Sequence, residues 1–342
     1  MTFAVPGDLA TPTGGYAYAR RVTAELRGLG WQVDALDIGE GFPHATEEKR
    51  TQALTLLEQA PADAPLVIDG LALGALPDEA RVVARSHRLV GLVHHPLALE
   101  TGLSEAEAAA LRASERAALQ ATCGVIASSP FTGRLLAADY GVPTERIAIA
   151  EPGTDRVPFA QGSGRDTVHV LAVGAVSPRK GYDRLVAALA TLVPLPWRLT
   201  IAGDLARDGA AVDTLRALVA ATGLGGRVTL AGVLSEHALA DAYRTADLFV
   251  QPSRLEGYGM AAATALAYGL PVVATQGGAL EETLRGAALV VPDADFADAL
   301  RQAIAHPATR AMLRDRARAA ARTLPAWRDT AARFARAVEA AA

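Results

Sequence analysis

The chain has 342 residues, 51% of them hydrophobic, which is enough to bury two ordinary cores of about 100–200 residues each. A formal net charge of -4 argues against a protein that wraps a phosphate backbone, so no nucleic-acid partner is expected. The single cysteine, Cys123, excludes an internal disulfide and a cysteine-based zinc site, and fits a cytoplasmic location.

The first residues read straight into a strand without a leader-like pattern, and no apolar run reaches about 18 residues. The chain is therefore expected to be neither exported by that route nor membrane-spanning. Short apolar β-like runs alternate with Ala- and Leu-rich helical stretches, the pattern of parallel strands joined by crossover helices, so the fold class is α/β. In chain order, residues 3–5 form a strand, a Gly-containing loop follows, and a helix runs over about 17–28 until Gly28 and Gly30 stop it. Further strands fall at 32–36, 66–68, 89–93, 124–127 and 147–151.

Gln161 to Gly164 read as a flexible polar stretch and a hinge candidate, after which the pattern restarts at Val168. Strands follow at 198–202, 227–230, 248–251, 271–274 and 288–291, and the Arg-rich run 310–322 reads as the solvated face of a helix. The expected organisation is a first domain at 1–162, a second at 163–325, and a C-terminal helix at 326–342 packing back on the first. Two doubly wound domains leave room for ligands at the carboxyl ends of their strands.

Three strand-to-helix loops carry residues suited to chemistry. Gly14 and Gly15 would let backbone N–H groups approach a phosphate at a helix N-terminus, although a Gly-Gly turn is more often structural. Arg179 and Lys180 set two cations at the start of a helix, against its dipole, and a departing diphosphate would give them an anion to neutralise. Lys180 is one of only two lysines, with Lys49, in a chain that otherwise carries its positive charge on arginine. Glu256, Gly257, Tyr258 and Gly259 precede another helix, where a carboxylate among glycines can hold sugar hydroxyls beside a phosphate; plain capping by Glu256 is the competing reading.

Taken together, these motifs resemble the large retaining glycosyltransferase family 4, the glycosyl transferases group 1 of GT-B fold, over residues 3–291. The likeness is strongest in the second half. Residues 173–181 with Tyr182 and Asp183 look like the family's glycine-then-Lys-Gly phosphate motif, and 252–275 with Gly277, Gly278 and Glu281 look like its Glu-seven-residues-Glu motif and sequel. In the first half, Gly14 and Gly15 match the family's acceptor-side glycine loop, and His94-His95-Pro96 looks like its active-site histidine, with His94 the better fit and His95 the second choice. The runs 125–129 and 152–155 match its linking elements.

The resemblance implies two Rossmann-like doubly wound domains facing across a cleft, and transfer of a sugar from a nucleotide-diphosphate sugar with retention of anomeric configuration. Lys180 and the helix after Gly257 would stabilise the leaving phosphate, Glu256 would hold the transferred sugar, and His94 would hydrogen-bond the sugar or the acceptor. Arg179, Gly257, Tyr258 and Gly259 would complete the phosphate and sugar contacts, Val233 would lie near the base, and Thr264 near the ribose.

Two positions depart from the family: Ala175 stands where it has Arg, and Thr264 where it has the second Glu. A Thr keeps a hydrogen bond but loses a charge-assisted one, worth about 1.5–3 kcal/mol. No Asp-x-Asp pair is read in a loop suited to a divalent ion, so no metal or other cofactor is expected beyond the sugar nucleotide as co-substrate. A sugar-nucleotide epimerase, a pyridoxal-phosphate phosphorylase and a non-catalytic homologue that binds a sugar nucleotide or a protein are the rival readings. The acceptor is not legible; the mildly acidic composition favours a soluble acceptor over a lipid.

Overall fold

The computed structural model describes residues 1–341. They divide into two compact units, one made of Met1–Gly153 together with the chain from Pro325 onward, the other of Thr154–Leu324.

In the first unit six strands, β1 (Thr2–Val5), β2 (Asp34–Asp37), β3 (Leu66–Asp69), β4 (Leu89–Val93), β5 (Gly124–Ala127) and β6 (Ile147–Ile149), form one sheet in the order β2-β1-β3-β4-β5-β6. All neighbours are parallel. Strands β1, β3, β4 and β5 are buried along their whole length, which is why they read as unbroken apolar runs rather than alternating ones. The edge strand β2 is mostly exposed and sits two residues later than its sequence pattern, because pairing of Thr2 with Asp34 sets its register. The strand order reverses beside β1, between β1 and β3, so the loops leaving those strands flank a switch point.

The first helix spans Gly14–Gly28, so Gly14 and Gly15 form its first turn instead of a loop before it. The cause is Thr13, whose hydroxyl accepts from the Tyr16 N–H and caps the helix earlier than the apolar periodicity suggests. The helix Trp327–Ala340 completes this unit: Phe334 and Trp327 are buried, with rings 6.0 Å from Phe3 and 5.9 Å from Tyr18. Burying a Phe side chain contributes about 1.5–3 kcal/mol. Thr330 adds a hydrogen bond to the Glu151 carbonyl at 2.7 Å. Of residues 326–342, only Ala342 lies outside the described residues.

The second unit holds β7 (Val168–Val173), β8 (Trp197–Ala202), β9 (Val228–Gly232), β10 (Leu248–Gln251), β11 (Val272–Thr275) and β12 (Leu289–Val291) in the order β12-β11-β10-β7-β8-β9, again all parallel. Here the order reverses between β7 and β10, and the sheet is sandwiched between two apolar clusters, one around Leu185, Trp197 and Phe296, the other around Phe249, Leu266 and Leu280.

The stretch from Gln161 to Gly164, read from composition as a flexible boundary, belongs to this unit. Ala160 N–H donates to the Tyr268 carbonyl at 2.8 Å, Gly162 N–H to the Arg244 carbonyl at 3.3 Å, and Ser163 N–H to Asp247 Oδ1 at 2.9 Å. The division therefore falls after Gly153, because the segment behind it is hydrogen-bonded to the second sheet's helices. Among the described residues no helix is long and apolar enough to cross a membrane.

Candidate active site

In the second unit, the loops after β7 and β10 leave the sheet side by side at its switch point. The loop after β7 ends in a short 3₁₀ turn, Pro178–Lys180, and the helix Tyr182–Ala190 begins beyond Gly181. Gly181 has φ of 67°, and a Cβ there would lie 2.0 Å from the Pro252 carbonyl oxygen, so no other residue lets the two loops approach this closely. Arg254 N–H donates to the Arg179 carbonyl at 2.8 Å, and the Arg254 guanidinium grips Asp183 with two bonds of 2.8 and 2.6 Å. That bidentate pair, led by the hydrogen bonds from Arg254, holds the Asp183 carboxyl below its ordinary range.

The result is a compact ion cluster. Lys180 Nζ donates to Glu256 Oε1 at 2.7 Å, and Arg179 Nη1 lies 3.6 Å from Glu256 Oε2 while donating to the Leu255 carbonyl at 2.8 Å. Arg179 and Lys180 thus turn to the same carboxylate. Gln251 Nε2 and Ser253 Oγ also donate to Glu256 Oε1, at 2.9 and 2.6 Å.

Glu256 is only 6% exposed. Burial would push its carboxyl up, but the Lys180 and Arg179 charges, with the Lys180 and Ser253 hydrogen bonds, hold it down at about 2. Two cations against one carboxylate leave the cluster with positive charge in excess. Glu256 does not cap the helix Met260–Ala267; Gly259 occupies that place without a side-chain cap.

The remaining second-unit positions are distributed differently. The Tyr258 side chain is buried and its carbonyl accepts from Thr283 Oγ1 at 2.6 Å, which leaves the phenol in the core rather than at an open contact. Thr264 lies half-buried in the middle of the helix Met260–Ala267, and Glu281 is exposed on the first turn of the helix Leu280–Leu284. Val233 follows β9 and is 55% exposed. Asp293 and Asp295, an Asp-x-Asp pair that does follow a strand, lie in a 3₁₀ turn after β12, where Asp293 Oδ1 is 3.1 Å from Arg184 Nη1. Among the described residues no group of three or more His, Cys, Asp and Glu could hold a metal ion.

In the first unit, the carboxyl ends of β1, β3 and β4 bring together Gly15, Asp69 and His94. His94 Nε2 lies 3.4 Å from Asp69 Oδ2, and a Cβ on Gly15 would touch the imidazole at 3.4 Å, so the glycine leaves the ring open on that side. Tyr18 packs its ring against His94 at 5.2 Å, edge to face. The backbone is fixed by Ser128 and Thr132, whose hydroxyls donate to the His94 carbonyl at 2.9 and 3.2 Å. Asp69 Oδ1 caps the helix Gly70–Leu73 by accepting from Leu71 N–H at 2.9 Å, which leaves Oδ2 to face His94. His95 turns instead to Glu100, 3.5 Å away.

Asp69 is absent from the sequence reading, and Gln251, Ser253 and Arg254 stand in it only as a strand end and part of the motif run, without a role of their own. Each except Arg254 had one usable signal: Asp69 and Gln251 are polar residues ending otherwise apolar strands, and Ser253 lies between Gln251 and the carboxylate.

Residues 154–320 match the family model described as glycosyl transferases group 1. A D-inositol 3-phosphate glycosyltransferase of Pseudarthrobacter chlorophenolicus is 34% identical over 244 residues, 66% of this chain and 57% of that protein. The chain spans a little over half the length of such curated relatives. Among solved structures, sucrose-phosphate synthase from Thermosynechococcus elongatus superposes with a TM-score of 0.81 at 22% identity, covering 98% of both chains. Anabaena HepE in complex with UDP-glucose gives 0.79 at 17% identity, covering 99% of both.

Proposed function

Because the chain belongs to the glycosyl transferases group 1 and has the two-domain GT-B fold, we propose that it transfers a sugar from a nucleotide-diphosphate sugar to an acceptor with retention of anomeric configuration, without a metal. The observation that carries this reading is the buried Lys180–Glu256–Arg179 cluster at the switch point of the second sheet. Its excess positive charge is fixed before any ligand arrives. When the bond from the anomeric carbon to the diphosphate breaks, the electron pair leaves with the diphosphate, and Lys180 and Arg179 meet the charge that builds there. Pre-set cations cost no reorganisation at that moment and take the place of a divalent ion.

Glu256 Oε1 is engaged by Lys180, Gln251 and Ser253, so its first task is to hold Lys180 in position; Oε2 is the oxygen that meets a hydroxyl of the transferred sugar. Gly257 and Gly259 keep the approach to the next helix N-terminus open to the diphosphate. Val233 and Thr264 serve the nucleoside, and Gly14, Gly15 and His94 serve the sugar and the acceptor. The names of the relatives favour a small, soluble, phosphorylated polyol or sugar as acceptor. A location in the cytoplasm, where sugar nucleotides are made, accords with this chemistry.

The test is a thermal-shift panel of UDP, GDP, ADP and TDP and their common sugars, beginning with UDP-glucose, followed by an acceptor screen beginning with inositol 3-phosphate. Stabilisation by one nucleotide, and release of its diphosphate on adding an acceptor, is the expected result. Stabilisation without release would favour a homologue that binds a sugar nucleotide without turnover, and no stabilisation by any nucleotide would favour one that binds a protein, with Ala175 and Thr264 as the cause of the lost donor site.

A further inference from the structure

The second sheet has another cationic site at its opposite pole. Arg165 and Thr167 just before β7, Trp197 and Arg198 opening β8, and Arg227 just before β9 line one pocket of about 430 Å³. Because β7, β8 and β9 are adjacent and parallel, these are the amino ends of three neighbouring strands, whereas the Lys180 and Glu256 loops leave the carboxyl ends.

Three arginines line this one pocket, and a nearby carboxylate, Asp247, makes no ion pair with any of them. No ion pair to Arg165, Arg198 or Arg227 forms among the described residues, and Arg198 Nε is buried without a hydrogen-bond partner. Arg227 is pre-set: it donates to the Leu195 carbonyl at 2.9 Å and lies 5.2 Å from the Trp197 ring centroid. The carboxylate of Asp247 accepts from the Ser163 and His169 N–H groups, so its oxygens are already engaged with backbone. The positive field reaches inward, since His169, paired across the ladder with Arg198, is held below the ordinary histidine range first by burial and then by the Arg198 charge.

Like charges lining one space repel one another, and an anion bound among them offsets that repulsion. From this arrangement we propose a second anion site in the nucleotide-binding unit, separate from the donor loops, that takes a small phosphorylated or diphosphate-bearing molecule from solution. Planar guanidinium forks suit phosphate oxygens, and Thr167 adds a hydroxyl.

The test is calorimetric titration of the full chain with inorganic pyrophosphate at constant ionic strength. Two sites per chain are expected, one weakened about tenfold or more in R165A/R198A and the other in Lys180→Ala. Arg227 is left intact because it also supports Leu195 and Trp197. Should the double variant fail to fold, Arg165→Glu alone, at an exposed position outside the strands, is expected to weaken the same site. A single site, removed by Lys180→Ala and untouched by either arginine variant, would overturn the proposal. So would sedimentation with phosphatidylglycerol vesicles, lost in R165A/R198A, in a protein that shows no second pyrophosphate site.

Discussion

The two sheets present their loops at equivalent places, the strand ends beside a reversal of strand order, yet they equip those places with opposite chemistry. In the second unit the loops after β7 and β10 converge on a buried carboxylate at about 2, gripped by Lys180 and Arg179 and surrounded by Gln251 and Ser253. In the first unit the loops after β1, β3 and β4 offer one imidazole, one carboxylate at 3.4 Å and a glycine that leaves room. A fixed, expensive charge cluster suits a ligand group that is always anionic and becomes more so as it departs, such as a diphosphate. A sparse site with a single titratable ring suits ligands that differ from one relative to the next, and it is the part that can be rebuilt without disturbing a core.

The comparison breaks most visibly if the second cluster is not rigidly coupled. Glu256→Gln should cost about 3–5 kcal/mol at pH 7 in urea unfolding, because it leaves two cations without their carboxylate. The wild-type advantage is present above the unfolded carboxyl value of roughly 4.3 and is lost as pH falls towards about 2, so the gap between the two proteins should close in acid. A gap that stays constant from pH 5 to pH 2 would mean that the carboxylate is not what the cations stabilise.

A smaller effect of the opposite sign is expected in the first unit. Glu115, buried and bonded to the Leu97 N–H at 2.9 Å, is pushed up to about 8, chiefly by burial. A carboxyl whose folded value is raised favours folding fully below its unfolded value, and that contribution fades as pH rises through about 8. Glu115→Gln should therefore flatten the decline in melting temperature between about pH 4.5 and pH 8 and leave the variant the more stable at the alkaline end. Unchanged slopes in the two proteins would remove Glu115 as the cause.

The smallest stability effect belongs to Asp69→Asn, which keeps the cap on the helix Gly70–Leu73 and removes only the charge facing His94. Unfolding should change by less than about 1 kcal/mol, while turnover falls about tenfold. Equal losses of stability and turnover would mark Asp69 as structural alone.

Much of this was legible in the chain. Parallel strands buried on both faces leave unbroken apolar runs, so β4, β5 and β10 stand where the pattern puts them, and a lysine in an arginine-rich sequence singled out Lys180. What was not legible is relational. The roles of Gln251, Ser253 and Arg254 come from where their side chains end up, and nothing local to Arg254 announces its grip on Asp183. The unit boundary was misplaced for the same reason: a Gly-Ser stretch looks flexible until Asp247 accepts its backbone.

The most direct test of the central claim is the rate of nucleoside diphosphate release by the wild-type protein and by Lys180→Ala, with melting curves to establish that both are folded. If the Lys180–Glu256–Arg179 cluster stabilises the departing diphosphate, the variant should lose about 10²–10³-fold in turnover while remaining folded. Release at the wild-type rate by a folded Lys180→Ala protein would contradict the account.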